Sequence, residues 1–317
     1  MSQQKGMAAK VSWGVETTPG TEEARTGTSR VASCGLAAHR IAERVPHLVP
    51  SGSTRAPRAM FSKAIDINGP VEMPAAYSGQ CLGLLLEAAM GAVSTSPSSG
   101  SYAHTFTLGA SLLALSVAVE RGVGASLGDE EFYGVKVGML ELSVAPGALM
   151  MLKLDLIGMS NGVRGGDSPP ALATPNWISH AHAGTLSFNS VNYKLSSFVC
   201  RIDNKLARLD ELGSLYSSEP EVTDFQSVEF EVELVARSDA LYAAHLAQTA
   251  SDAVITFSDG TRSIVFTLHN AEIDTYEDPL SDPGVIKQKV KFVGVGDDTK
   301  NGLQIVLTNA SSSSRTA

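Results

Sequence analysis

The chain is poor in cysteine and in aromatic residues, and each shortage argues against a class of protein. Its 317 residues include 3 cysteines, which are Cys34, Cys81 and Cys200. They lie far apart and lack the paired spacing of disulfide frameworks or metal sites, so they predict three reduced thiols. Aromatic residues make up 6% of the chain, and Trp13 and Trp177 are isolated rather than grouped as a sugar-binding platform.

Long apolar segments are also missing. Nowhere do about 18 apolar residues run together, as a membrane-spanning helix requires. The first residues, Met1-Ser-Gln-Gln-Lys-Gly, carry no apolar stretch of the kind found in a secretory signal. We therefore expect a protein that is made and kept in a cytoplasm, without a membrane anchor.

Basic charge is in deficit. The formal net charge is -9, and most of the excess of acids lies beyond Ser160. Proteins that bind DNA tightly neutralise phosphates with clustered Lys and Arg, so this balance argues against sequence-reading DNA binding.

Catalytic and metal-binding motifs are not found. His180 and His182 are close in sequence but have no flanking pair of carboxylates. The Gly-rich run from Gly122 to Gly124 lacks the Lys and Ser/Thr of a phosphate-binding loop, and there is no Gly-x-Ser-x-Gly motif. The sequence predicts neither an enzyme nor a cofactor. Calcium binding by the acidic runs 129–131 and 297–298 stays an alternative to simple solvation of these turns.

The chain has many segments in which apolar and polar residues alternate, as they do in β-strands with one buried face. Residues 227–236 place Val and Phe on one face of a strand and Glu229, Glu231 and Glu233 on the other. This period of two commits one face to a core and the other to water. The three acids are either part of a solvated outer face or one wall of an acidic channel, and both readings stay open.

The order of predicted elements occurs twice. A helix is predicted from Ser78, as N-cap, to Met90, with Gly91 as its stop. A second helix is predicted over 238–249, and a Gly- and Pro-rich stretch from Gly158 to Pro175 separates the two halves. We expect two tandem β-sandwich or barrel domains, 1–165 and 166–317, each with one flanking helix.

Strands are expected to surround these helices. Residues 94–101 are expected to form a flexible surface loop, and residues 1–60 an irregular N-terminal arm with an extended loop or hairpin, or else a disordered segment. The predicted strands cover 64–68, 102–108, 113–120, 132–144, 149–157, 194–202, 222–235, 253–257, 263–268, 271–276 and 286–293.

Several short motifs resemble one protein family. The run Trp13-Gly-Val-Glu-Thr-Thr-Pro-Gly-Thr21 is similar to the opening signature of the major tail tube proteins of long-tailed, non-contractile bacteriophages. Further similarities lie at 102–106, 133–136, 140–147 and 198–204, in the same order along nearly the whole chain. Residues 22–60 have no position-by-position match.

The resemblance implies a structural virion protein that polymerises into stacked rings around a lumen, through which genome DNA is ejected into the host. It implies a phage-tail location after assembly in the bacterial cytoplasm. Single-domain relatives form six-membered rings, so a duplicated chain favours a trimer with pseudo-six-fold symmetry, with a hexamer as the other option. Partners would be further copies of the chain, the tape measure, tail terminator and distal tail proteins, and double-stranded DNA in transient, non-specific passage, with no membrane.

On this reading Glu229, Glu231 and Glu233 are candidate lumen-facing acids, since acidic walls let DNA slide. The candidate contacts with neighbouring subunits or rings are Trp13, Arg40, Arg44, Arg55 and Arg58. Two rival functions remain: a β-sandwich receptor-binding or capsid-decorating module, and a hydrolase that uses scattered acids.

Overall fold

Strands dominate the computed structural model of the chain, which describes residues 9–44, 60–98, 100–120, 129–162, 170–235, 239–278, 287–296 and 302–316. The expectation of a mostly β fold is confirmed. The strands of the first half are β1 Lys10–Val15, β2 Gly27–Arg30, β3 Ser33–Cys34, β4 Ala37–Arg44, β5 Met60–Pro74, β6 Gly91–Ser98, β7 Ser101–Leu108, β8 Leu115–Glu120, β9 Glu130–Val144, β10 Met151–Gly158 and β11 Ser160–Asn161.

The second half contains the remaining strands. They are β12 Ala183–Phe188, β13 Val191–Asp203, β14 Leu206–Ala207, β15 Glu221–Val222, β16 Ser227–Val235, β17 Ser251–Ser258, β18 Ser263–Glu277, β19 Lys287–Gly294 and β20 Leu303–Asn309. All pairings between these strands are antiparallel apart from an isolated parallel bridge between Ile65 and Tyr216. Eighteen strands are connected into one bent sheet, and β14 and β15 form a separate small pair.

Two 15-residue strands, β9 and β18, bend and serve both layers of the sandwich. The first part of β9 pairs with β8, and its second part pairs with β10 and β13. In the same way, β18 pairs first with β17 and β20 and then with β19. Long bent strands close two sheets around one core without leaving their polar backbone groups buried and unpaired.

The order of pairing is the same in the two halves. In the first, β5 pairs with β10, β10 with β9, β9 with β8, and β8 with β1. In the second, β16 pairs with β19, β19 with β18, β18 with β17, and β17 with β12. Each helix follows the strand that opens its series, β5 for the first and β16 for the second.

Two joints connect the halves into one body. The edge of β9 pairs with β13, from Met139 opposite Asp203 to Val144 opposite Phe198. The C-terminal strand β20 lies between β18 of its own half and β7 of the first half. Buried apolar side chains of both halves form a single core cluster. The boundary expected between 165 and 166 falls outside the described residues.

The first helix, α1 Leu82–Met90, is buried on all sides between the layers. It ends at Gly91 as predicted, where a φ of 90° suits glycine and the Gly91 N–H donates to the Glu87 carbonyl. The predicted start at Ser78 is wrong, because Cys81 is the N-cap. The second helix, α2 Ala240–Leu246, buries only Leu241 and Ala244.

Two expectations for loops are also wrong. Residues 94–98 lie in β6 and residue 101 begins β7, and these strands stay in register from Gly91 opposite Leu108 to Ser98 opposite Ser101. Residues 10–44 hold four strands, of which β1 pairs with both β2 and β8. The expected hairpin within 1–60 is present, since β1 and β2 pair antiparallel from Lys10 opposite Arg30 to Trp13 opposite Gly27. Strand β20 was not predicted.

Candidate functional site

One layer of the sandwich presents a charged outer surface, which we call the charged face: the outward side chains of β5, β10, β9, β13, β16 and β19. Most inward residues of these strands are apolar and buried, as alternation favours. Strand register aligns five outward residues of opposite sign into one row across both halves. The row runs through Glu72, Lys153, Glu141, Arg201 and Glu229.

Arg201 is the centre of this row and connects the two halves. Its Nη2 and Nε donate to Glu141 Oε2 at 2.8 and 3.1 Å, and its Nη1 lies 3.9 Å from Glu229 Oε2. The hydrogen bond to Glu141, and the charge of both neighbours, raise the pKa of the Arg201 guanidinium. A guanidinium presents several donors in a fixed plane, which suits this position between two carboxylates.

The Glu229, Glu231 and Glu233 side chains point outward from β16. Lysines of β19 lie between and beside them. Lys291 Nζ is 2.9 Å from Glu229 Oε1, and Lys287 Nζ is 3.0 Å from Glu233 Oε2. The hydrogen bond to Glu229 raises the pKa of Lys291.

Glu231 is exposed and lines a surface pocket with Thr275, Lys289 and Lys291. The charged face is therefore a mosaic of both signs rather than an acidic wall. Sequence reasoning missed these lysines because they lie more than fifty residues away, and only the register of β16 with β19 brings them together.

Several strand edges have no described strand beside them; that of β6 is one, and those of β4 and β18 are two others. Strand β4 pairs with β5 along one edge, and no described strand pairs with its other edge. Residues 275–277 of β18 pair with β19, and their other edge is likewise without a described strand, although the carbonyl of the neighbouring Ile273 lies 3.0 Å from His245 Nδ1. Such edges carry unpaired N–H and C=O groups and readily accept another strand.

The proposed contact residues have different surroundings. Trp13 is fully buried in β1, and its Nε1 donates to Ser29 Oγ at 3.0 Å. Its indole belongs to the core of this chain, so we do not carry it forward as a contact. Arg40 is exposed on β4. Arg44 ends β4 opposite Met60, but its side chain lies outside the described residues, as do Arg55 and Arg58.

The Trp13–Thr21 motif has a structural role that the sequence did not reveal. The buried Glu16 carboxylate accepts the Gly20 N–H at 2.7 Å, the Ser116 hydroxyl at 2.9 Å and the Gly134 N–H at 2.9 Å. It thereby connects the loop after β1 to β8 and β9. A glycine is needed at 134, where φ is +62° and a Cβ would lie 2.4 Å from Met159 Sδ.

Exposed apolar side chains were missed as well. They lie in the connection between β13 and β16, where Leu212 is 106% and Phe225 is 93% exposed. This connection packs against the first half, since the Ile65 N–H donates to the Leu215 carbonyl at 2.7 Å. Large apolar groups this exposed are typical of surfaces that another protein covers.

The described part of the chain contains no cluster of three or more His, Cys, Asp or Glu side chains arranged to hold a metal ion. None of its helices is long and apolar enough to cross a bilayer. His182, considered above as a ligand, lies with Nδ1 3.3 Å from the Tyr77 hydroxyl and stacks on that ring.

The fold and its surfaces define a class of β-sandwich protein built for assembly, with open strand edges and exposed apolar loops. A family model described as "Phage tail tube protein" matches residues 6–294. The chain belongs to the phage tail tube protein family, and it is a structural component of the phage tail that self-assembles into a tube. The resemblance found in the sequence is confirmed. No curated protein matches the chain.

Proposed function

We propose that the chain forms rings that stack into the tail tube of a long-tailed, non-contractile phage, and that this tube conducts genome DNA into the host. The observation that carries the proposal is the pair of open strand edges on β4 and β18. An edge that is satisfied by another copy removes the liability of unpaired backbone groups and extends the sheet from subunit to subunit. Two different edges make a head-to-tail contact, which closes into a ring when the rotation allows.

The two halves are, in this proposal, tandem copies of one tail-tube module. Support comes from the repeated order of pairing and from a β-bulge at the same place in β9 and β18. Three chains would then supply six modules, which favours a trimer with pseudo-six-fold symmetry over a hexamer.

The charged face lines the lumen in this proposal, with Glu229, Glu231 and Glu233 on the wall. Support comes from its interleaved signs. A basic lining would hold DNA by releasing counterions, whereas a wall on which Lys287, Lys291 and Arg201 are already paired to carboxylates offers the phosphates fewer unpaired cations. DNA would pass without being bound.

Stacking of rings would cover the exposed apolar residues of the connection between β13 and β16, among them Leu212 and Phe225. Arg40, Arg44, Arg55 and Arg58 stay proposed contacts with neighbouring subunits or rings. The tape measure, tail terminator and distal tail proteins are the expected partners, with assembly in the host cytoplasm and final location in the virion.

Electron microscopy of the purified chain tests the proposal. The chain is incubated at high concentration, with and without the distal tail complex as an initiator, and imaged in negative stain. Rings or tubes with a central hole are the expected result, and their rotational symmetry separates three chains from six. Monodisperse monomers in both reactions would reject the tube and favour a receptor-binding or capsid-decorating module.

A further inference from the structure

The joint between β9 and β13 is a sheet contact between the two halves, made inside one chain. It pairs Met139 with Asp203 and Leu140 with Ile202. The Asn204 N–H donates to the Gly138 carbonyl at 2.8 Å. In an antiparallel ladder the hydrogen-bonded and non-hydrogen-bonded pairs alternate. Ile202 and Leu140 lie two residues from Asn204 and Gly138, so they are also a hydrogen-bonded pair whose N–H and C=O groups face each other.

Strand β18 occupies in the second half the place that β9 occupies in the first. The register of β9 with β10 is interrupted at Gly138, and that of β18 with β19 is interrupted at Asp274. When the two bulged residues, Gly138 and Asp274, are aligned, Thr275 corresponds to Met139, Tyr276 to Leu140 and Glu277 to Glu141. The open edge of β18 is thus the counterpart of the β9 edge that β13 covers.

Strands β3 and β4 occupy in the first half the place of β13. Ala37 pairs with Asn68, and Arg201 pairs with Glu229. Asn68 and Glu229 are themselves equivalent, because they lie opposite Ile157 and Val293 in the matching strands β10 and β19. Ala37 therefore matches Arg201. It follows that Ala38 matches Ile202, His39 matches Asp203 and Arg40 matches Asn204.

The backbone N–H and C=O groups on the open edge of β4 have the orientation that a joint of this kind requires. The Gly35 N–H donates to the Pro70 carbonyl at 2.7 Å, so residues 35, 37 and 39 direct their backbone groups at β5. By alternation, the backbone groups of Ala38 and Arg40 face the other edge. These are the counterparts of Ile202 and Asn204, which face β9 in the internal joint.

We propose that β4 of one copy of this chain pairs antiparallel with residues 274–277 of β18 in the next copy, in the register of the internal joint. This inference rests on the proposed function and names the surface by which rings close. His39 then lies opposite Thr275, Ala38 opposite Tyr276 and Ala37 opposite Glu277. The Arg40 N–H donates to the Asp274 carbonyl.

The side chains fit this register. Tyr276 is large and Ala38 is small, where the internal joint has Leu140 and Ile202. Ala38 to Ala42 are all exposed in the single chain, including Ile41 at 44%. The open end of β18 is acidic, with Asp274, Glu277 and Asp278, while β4 brings Arg40 to this end. Opposite charges at the two edges favour this partner over a second β18 edge.

Disulfide trapping tests the register. Cys34 is first replaced by Ser, and His39→Cys with Thr275→Cys is then compared with Ser33→Cys with Thr275→Cys. Positions 39 and 275 form a non-hydrogen-bonded pair with Cα atoms about 4.5 Å apart, within disulfide range. Position 33 lies six residues away on the same face, about 20 Å from the partner thiol. Assemblies are purified, oxidised and run on a denaturing gel.

Interchain bonds are expected at least about tenfold more often in the 39/275 variant than in the 33/275 control, given the narrow geometry of a disulfide. The covalent ladder should end at three chains if the ring is a trimer. The second pair, Ala37→Cys with Glu277→Cys, repeats the test should the first variant misfold. Assemblies that form under reducing conditions but yield no bond with either pair overturn this register and leave the tube standing. Failure of the unmodified chain to assemble at all overturns the tube and the register together.

Discussion

At the scale of single residues, Glu16 holds together the N-terminal part of the fold. Its carboxylate accepts hydrogen bonds from two backbone N–H groups and one hydroxyl, donated from three separate segments. Hydrogen bonds to a charged acceptor contribute more than neutral ones, and a buried donor that loses its partner carries a further cost.

Replacing Glu16 by Gln should lower the free energy of unfolding by about 1–3 kcal/mol, since an amide has one acceptor oxygen and no charge. Urea unfolding followed by circular dichroism measures this change. The control is Glu221→Gln, because Glu221 is exposed on β15. Substitutions at such surface positions usually change stability by no more than about 0.5 kcal/mol. Equal effects of the two substitutions would contradict the role of Glu16.

The three cysteines should differ in reactivity. Burial raises the pKa of the Cys81 and Cys200 thiols, which keeps them protonated and unreactive. Cys34 is half-buried beside the open edge of β4. A thiol reagent should therefore modify one cysteine per native monomer, which is Cys34.

The measurement is mass spectrometry of the labelled native monomer. Three modified thiols would mean that the core around Cys81 and Cys200 opens readily.

At the scale of elements, the edge of β4 gives a test through one backbone donor. Ala38→Pro removes the N–H that faces the next copy and leaves the pairing of β4 with β5, because proline is tolerated at a strand edge. The variant should remain a folded monomer and form no rings. Ala38→Val is the matched control and should still assemble. Circular dichroism and electron microscopy measure folding and assembly, and rings of Ala38→Pro with normal yield would contradict the role of this edge.

Local patterns predicted some elements well. Gly91 ends α1 because a residue with positive φ is needed there, and the alternation in 227–235 correctly oriented β16. The start of α1 was missed, since Cys81 in a left-handed conformation is not a recognisable N-cap. The Ser-rich β6 was mistaken for a flexible loop, because its strand state depends on pairing with β7 rather than on its own propensity.

The candidate site was predictable only in part, because local sequence patterns do not show which strands pair with each other. Alternation placed Glu229, Glu231 and Glu233 on an outer face, but no local signal gave their lysine neighbours or Arg201. Those contacts come from long-range register. Trp13 was expected on an interface because it stands in a family motif, whereas its ring fills the core.

At the scale of the whole molecule, the charged face should become enclosed on assembly. Glu231→Cys, made in a chain with Cys34 replaced by Ser, should react with a bulky maleimide polymer as a monomer and lose most of this reactivity in long tubes. A small maleimide should still reach it through the lumen. Thr261→Cys, in the exposed turn between β17 and β18, is the control for general loss of access. Unchanged reaction of Glu231→Cys with the polymer would place the charged face on the outside.

The position of β20 has a consequence for how the chain reaches its native state. This strand, residues 303–309, lies between β18 and β7. The residues of β7 precede it by about two hundred positions in the sequence. Contacts of such large sequence separation close late, so folding is expected to be slow. During synthesis, the edges of β7 and β18 that pair with β20 stay unpaired until β20 has left the ribosome. A nascent chain therefore cannot complete its sandwich, and so cannot join a growing tube in its final form, until this segment has been translated.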